Sequence, residues 1–389
     1  MKNLNVKTTD NNNNNNNNNN FSNTLSTLHK MGLAMIVFLT LFSAKLNAQE
    51  KDKVAEHRIA EYIHWYPAIK QAEMRDIWLE NHKPGEWQIS GLVTANDRTV
   101  VTVQADVNYG YSWFNISNEP VVITMPAYDK YYSVTVFDMH HFMEVVVTPE
   151  KPVVVRLPHQ KSPIEGAHEI VLHTYQGMAF TRQVIVNNEQ EVVELAQEIS
   201  ITGGGGDKPF IIPDFTEAEK AQAEQIIIDY ARTVTSGRNL FGSAYEGVGD
   251  LDRSAGVYRG QLGTQSYVVD YAVSLADQNQ EALNGSDQYE MTVSAEALTR
   301  SSKGYWSLTI YSSEDNYLIP NEENAYVINS YNAVQNEDGT VTIRINTNGE
   351  GENALPTTGT PFYGVFRVYE PIEGIQFPTI EKVQTDGSI

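Results

Sequence analysis

Trp306-Ser307-Leu308-Thr309-Ile310-Tyr311 decides the fold, with Phe366-Arg367-Val368-Tyr369-Glu370-Pro371 as its downstream counterpart. The first run reads as a strand centred on a tryptophan, and Trp306 itself as a core residue. Between the two runs, Asp338-Gly339 is a strong hairpin signal. After it Val341, Ile343 and Ile345 alternate with Thr342, Arg344 and Asn346, the period of a strand. The last third of the chain is therefore β.

Towards the N-terminus the pattern changes repeatedly. Gly237 to Gly263 is glycine-rich and predicts long loops. Thr216-x-x-Glu219 is a capping box that opens a helix running to about Thr233. Before it, the glycines at 203–206, flanked by Pro209 and Pro213, mark a boundary. Glu86 to Val186 is a second β-rich block, with runs at 121–125, 131–147, 153–157, 170–175 and 182–186. That spacing predicts an antiparallel sandwich or barrel. The two β-rich blocks are not close repeats of each other. Residues 52–82 predict a helix whose apolar stripe carries Val54, Ile59, Ile63, Tyr66 and Ile77, kinked or broken at Pro67. The expected layout is a leader over 1–48, a β-rich domain with an N-terminal helix over 49–202, a linker over 203–215, and a second domain with a leading helix over 216–389.

The leader is read from its composition. Residues 11–20 are ten asparagines, with nothing to bury. Lys30, the apolar run Met31 to Ala44 and the small-residue end Leu46-Asn47-Ala48 follow, the order of a signal peptide cleaved after Ala48. The apolar run is shorter than the roughly 20 residues of a membrane span, and no later stretch is apolar enough for one. The expected location is the periplasm or the outside of the cell.

The chain has no cysteine, so it uses neither disulfides nor thiolate ligands. Without residues 1–48 it holds 23 basic and 48 acidic residues, a net charge of −25. Nucleic acid and anionic membranes are poor partners for such a surface, because phosphate contacts need clustered Lys and Arg.

With these elements in place, a series of motifs falls in the order of one family. Tyr62-Ile63-His64-Trp65-Tyr66-Pro67, Tyr111-Ser112, Pro120-Val121-Val122-Ile123, Lys130-Tyr131-Tyr132-Ser133 and Phe137-Asp138 resemble the core of the DUF1254 domain. Trp306 to Tyr311, Asp338 to Ile343, Asn353-Ala354-Leu355-Pro356 and Arg367-Val368-Tyr369 with Pro371 resemble the companion DUF1214 domain. The resemblance covers about residues 57–385. It implies a mainly β fold with attached helices (α+β), made of two antiparallel β-sandwich or jelly-roll-like domains, and it implies no established reaction. The chain departs from the pattern at Asn108 and Tyr109, where the family carries Asp and Thr, at Ser301-Ser302-Lys303-Gly304 and at Ala354. If the family's carboxylate is catalytic, this chain has lost it or uses Asp106 instead.

Candidate chemistry concentrates in the first half. All eight histidines after residue 48 lie between His57 and His173. In Phe137-Asp138-Met139-His140-His141, strand alternation puts Asp138 and His140 on one face and His141 on the other. An Asp–His pair beside apolar residues supplies a base and its orienting group, or two metal ligands. Turn placement would instead leave both groups solvated. Arg182 matches an arginine recurrent in the family strand, and a buried arginine clamps a carboxylate or phosphate or serves a structural Asp; Arg367 is similar. Catalytic candidates are thus Asp138, His140, Arg182, Asp106 and Asn108. Tyr109, Tyr111 and Trp113 share a face, which stacks a sugar or other ligand if exposed and is core if not. His168 and His173 have the wrong spacing for a zincin, Gly203 to Lys208 lacks the P-loop spacing, and Asp277 to Ala282 lacks the calcium-loop glycine. The sequence assigns no metal or cofactor. It supports an exported binding or accessory protein for a glycan or small organic molecule, or a hydrolase or lyase with its site in the first domain.

Overall fold

The computed structural model describes residues 53, 55–91, 93–98, 102–234 and 236–384. The leader over 1–48 and Val54 lie outside them. The chain divides into the units Met1–Ala60 and Glu61–Ile389, and every contact described below lies within the second. Its first half carries β1 (Gln88–Gly91), β2 (Val107–Asn115), β3 (Val121–Thr124), β4 (Tyr132–Asp138), β5 (Met143–Val147), β6 (Val153–Arg156), β7 (His168–Val171), β8 (Gln176–Val184) and β9 (Ser200–Thr202). Its second half carries β10 (Val269–Ser274), β11 (Tyr289–Val293), β12 (Trp306–Ser312), β13 (Val327–Asn329), β14 (Val341–Asn346), β15 (Ala354–Pro356), β16 (Phe362–Tyr369) and β17 (Glu381–Lys382). Helices are α1 (55–78), α2 (Glu189–Gln197), α3 (Glu217–Thr233) and α4 (Asp250–Arg259).

The fold is mainly β, as expected, and consists of two sandwiches. In the first, the sheet β1-β2-β8-β4-β5 faces the sheet β7-β6-β3-β9. Phe114, Val134, Val136 and Ala179 from the larger sheet meet Val121, Ile123, Val153 and Val155 from the smaller. In the second, β10-β16-β12-β13 faces β15-β14-β11-β17. Trp306, Leu308, Ile310 and Phe366 pack there against Met291, Val293, Ile343 and Ile345. Pairings are antiparallel except β6 with β7 and β14 with β15. The runs 306–311 and 366–369 are hydrogen-bonded neighbours, Trp306 opposite Val368.

The large sheet of the first sandwich is covered on both faces. Its second face carries Trp113, Phe137, Met178 and Phe180, under Ala72, Met74 and Trp78 of α1 and under Phe210, Phe241 and Leu262.

Several expectations need correction. The helix is not broken at Pro67; helical residues run through it to residue 78. A proline leaves the carbonyl four residues earlier without its amide donor. Here that carbonyl, on Ile63, accepts a hydrogen bond from the Ser254 hydroxyl at 2.6 Å. Nor does Ile77 belong to the buried stripe, being 65% exposed. Ile59 and Tyr66 of the expected stripe are buried, and Tyr62, Gln71 and Arg75 join them. Gln71 accepts from Gln261 at 2.7 Å and Arg75 bonds Asp207 at 2.8 Å, so the second half of this face is polar. The glycine-rich stretch after 237 is not all loop, for it contains α4. Asp250 and Asp252 sit in its first turn and Arg259 in its last, matching the helix dipole. Gly256 fits where a Cβ would come 3.0 Å from the Phe241 ring. Helix α2 was not anticipated at all.

Candidate functional site

The outward-facing side of β12 and β16 is where the two sandwiches meet. Leu308 and Ile310 point into the second sandwich, so Ser307, Thr309 and Tyr311 point the other way. They are nonetheless buried, because the segment 102–106 and the start of β2 lie over them. Gln104 is the centre of this seam. Its side-chain amide nitrogen donates to an Asp106 carboxylate oxygen, to the Tyr305 hydroxyl at 3.2 Å and to Ser307 Oγ at 3.3 Å. Its side-chain oxygen accepts from the Tyr369 hydroxyl, and its backbone N–H donates to the Tyr109 hydroxyl at 3.2 Å. Asn329 Nδ2 donates to the other Asp106 oxygen at 2.9 Å. Burial pushes the Asp106 carboxyl above the usual range, against those amide bonds and the field of Arg367.

Two arginines border the seam. Arg182 lies directly opposite Tyr109 across β2 and β8. It donates to Thr135 Oγ1 at 3.1 Å and to the Leu262 carbonyl at 2.6 Å, with its guanidinium 4.7 Å from the Phe180 ring centroid. Arg367 lies opposite Tyr271 across β10 and β16. It donates to the Tyr311 hydroxyl at 3.0 Å and the Thr102 carbonyl at 3.2 Å. The Tyr109 hydroxyl feels both charges, yet burial still pushes its pKa up to about 12.

The structure therefore brings Asp106, Tyr109 and Arg182 to one region and leaves the remaining candidates elsewhere. Trp113 is 1% exposed and packs in the cluster beneath α1. Tyr111 packs on Trp78, with ring centroids 4.4 Å apart. These aromatics form interior surface and not an exposed strip. Asn108 points to the opposite face from Tyr109, in register with Gln183 and, across β8, Tyr132. Both polar atoms of its side chain are buried without a protein partner among the described residues.

Asp138 and His140 do not share a strand face. Strand β4 ends at Asp138 and the chain turns. The cause is Asp138 itself, whose carboxylate accepts from the Phe142 N–H at 3.0 Å while its backbone N–H donates to the Phe142 carbonyl at 2.8 Å. Neither are the two groups solvated. Asp138 is 2% exposed, and burial pushes its carboxyl up to about 7. His140 packs on Trp65 and His64, with centroids 4.7 and 5.1 Å away, and burial pulls it down to about 4. His141, at φ 62°, accepts from the Leu262 N–H at 3.1 Å through Nε2, and burial pulls it down to about 3. Gly177, opposite Asp138 on β8, is five residues from Arg182, so about 16 Å of strand separates the hairpin from that arginine. A shallow depression of about 10 Å³, room for about one water, adjoins Asp138, bordered also by Glu144, His173 and Tyr245.

Sequence reading missed Gln104, Tyr271 and Asn329. Their signal was faint, since each is a single polar or aromatic residue in a short irregular or alternating stretch. Among the described residues no group of three or more His, Asp or Glu is arranged to hold a metal ion.

Residues 87–203 match the family model described as protein of unknown function DUF1254, and residues 269–373 match that of DUF1214. No curated protein matches the chain. The crystal structure of the VPA0106 protein from Vibrio parahaemolyticus is similar, with a TM-score of 0.70 at 17% identity, over 85% of this chain and 100% of that one. An uncharacterized protein from Burkholderia cenocepacia aligns over 85% of this chain and 94% of its own, with a TM-score of 0.47 at 13% identity.

Proposed function

The chain belongs to the DUF1254/DUF1214 domain proteins, and on that premise we propose that it is an exported protein that binds a small organic molecule at the seam between its sandwiches. Export is supported by Lys30, the apolar run 31–44 and the Leu46-Asn47-Ala48 end. Among the described residues no helix is long and apolar enough to cross a membrane.

The observation that carries the binding reading is the meeting of side chains from both sandwiches around Tyr109. Ligand sites favour such junctions, where aromatic walls combine with a few fixed polar groups. Tyr109 and Tyr271 pack on the same cluster, beside Tyr311 and Tyr363, and both keep part of their surface accessible. A thermal-shift and calorimetric screen of sugars and small aromatic compounds tests it. The expected result is a binder whose affinity drops at least tenfold in Tyr109→Ala; a binder indifferent to Tyr109 places the site elsewhere.

A second reading, hydrolysis or elimination in the first sandwich, is favoured by Asp138. A carboxyl with its pKa raised to about 7 beside a water-sized surface depression is suited to general acid–base work. Product formation from model esters or polysaccharides that disappears in Asp138→Asn supports it. Turnover unaffected by that substitution removes Asp138 from the chemistry.

A further inference from the structure

Buried arginines are ordinarily matched by carboxylates, because an uncompensated charge in the interior is costly. This chain has ample acid to do so, with 49 acidic against 27 basic residues. The pattern holds for Arg75, which bonds Asp76 and Asp207, and for Arg253, which bonds Asp250. Arg182 and Arg367 break it. They are 8% and 5% exposed, and neither forms an ion pair among the described residues. Arg182 meets a hydroxyl, a carbonyl and the Phe180 face. Arg367 meets hydroxyls, a carbonyl and the rings of Tyr271 and Tyr311, with centroids 5.9 and 5.8 Å away. The nearby carboxyl, Asp106, has both oxygens occupied by amide donors from Gln104 and Asn329. Positive charge is thus concentrated in the seam of a strongly acidic protein, while the partners are neutral oxygens and π faces.

We infer that the seam takes an organic anion, one carboxylate or phosphate group on a flat apolar body. The guanidinium groups of Arg182 and Arg367 supply the charge complement, and Tyr109 and Tyr271 flank the body. Guanidinium forks suit such oxyanions, and aromatic walls suit the flat remainder. This inference rests on the reading that the seam is a ligand site and names the ligand's class.

Matched probes separate the two. Benzoate, phenyl phosphate and benzamide have nearly the same ring, and benzamide alone lacks the charge. Calorimetry and ligand-observed NMR on the full chain would compare them with no substitution needed. The expected result is at least tenfold tighter binding of benzoate or phenyl phosphate than of benzamide, reduced at least tenfold in Arg182→Met and in Arg367→Met, with Arg182→Lys retaining part. Equal binding of all three, lost in Tyr109→Ala, overturns the anion inference and leaves the binding reading standing. No binding of any probe at millimolar concentration overturns both. If a methionine variant fails to fold by circular dichroism, the benzoate-to-benzamide ratio of the unaltered protein still decides.

Discussion

The seam and the β4–β5 hairpin both bury ionisable groups, but they stabilise them in opposite ways. In the hairpin the partners are local, since Asp138 is held by the amides of its own turn four residues on. In the seam the partners are remote, since Asp106 meets Asn329 and Gln104 reaches Tyr305 and Ser307 in the other half of the chain. A local arrangement shapes one turn, whereas a remote one fixes two sandwiches against each other. The contrast predicts that damage at the seam propagates and damage at the hairpin stays put.

The largest effect is expected for Asp106→Ala. It strands the Asn329 donor in the interior and takes one of three acceptors from the Gln104 amide, and breaking such a buried network costs about 3–4 kcal/mol. Urea denaturation at pH 7 measures it, with a single transition expected to move as a whole. A loss below about 1 kcal/mol would reduce the seam to the level of a surface contact.

Next comes the pH dependence of the hairpin. The folded Asp138 titrates at about 7, above its ordinary 3.8, so the native state binds the proton more tightly. Its contribution is full below 3.8 and is lost as pH rises through 7. His140 and His141 titrate at about 4 and about 3 when folded, below their ordinary 6.5, so their contribution is lost as pH falls below 6.5. The two trends oppose each other in mild acid. Asp138→Asn removes one of them and keeps the oxygen that accepts from Phe142. It should stabilise the protein by about 3 kcal/mol at pH 8 and hardly at all at pH 4. Melts across that range test the slope, and a stabilisation independent of pH would mean Asp138 is not protonated at neutrality.

A smaller effect, about 1–2 kcal/mol, is expected for Ser254→Ala, which leaves the Ile63 carbonyl unpaired beneath Pro67. Pro67→Ala in the same background restores an amide donor to that carbonyl, so the double variant should recover part of the loss. Additive losses would show that the hydroxyl does not substitute for the missing amide.

The smallest belongs to Asp315→Ala. Arg98 and Asp315 bridge the same two halves as the seam, at 2.6 Å, but both are nearly half exposed. Solvent-screened pairs of this kind contribute at most about 0.5 kcal/mol. A larger loss would blur the distinction between buried and exposed links across the halves.

The strands were legible where one physical signal acted alone. Val341, Ile343 and Ile345 alternate cleanly because one face of β14 meets core and the other meets water. Trp306 to Tyr311 was legible as a strand, but the burial of its second face was not. Ser307 and Thr309 are polar and carry no burial signal of their own, and the tertiary approach of residues 102–106 covers them. Asp138 misled for a similar reason, since period-2 alternation holds only until a side chain captures its own turn. The site was legible piecemeal. Arg182, Arg367, Asp106 and Tyr109 each stood out by residue type, and nothing in the order of the chain said that three strands and a loop gather them. Helix α4 was hidden by its glycines, which mark close packing against Phe241 as well as loops.

The glutamine at the centre of the seam has a consequence for dividing the chain. Gln104 is contributed by the first half, yet most of its side-chain partners belong to the second. Cut at the glycine run after Thr202, the polypeptide would behave as a complementation pair. Each fragment would expose a polar, tyrosine-rich surface shaped for the other, and signal would return only when the two are co-expressed. The same property makes the protein a natural scaffold for a split reporter whose reassembly is read out at a single amide.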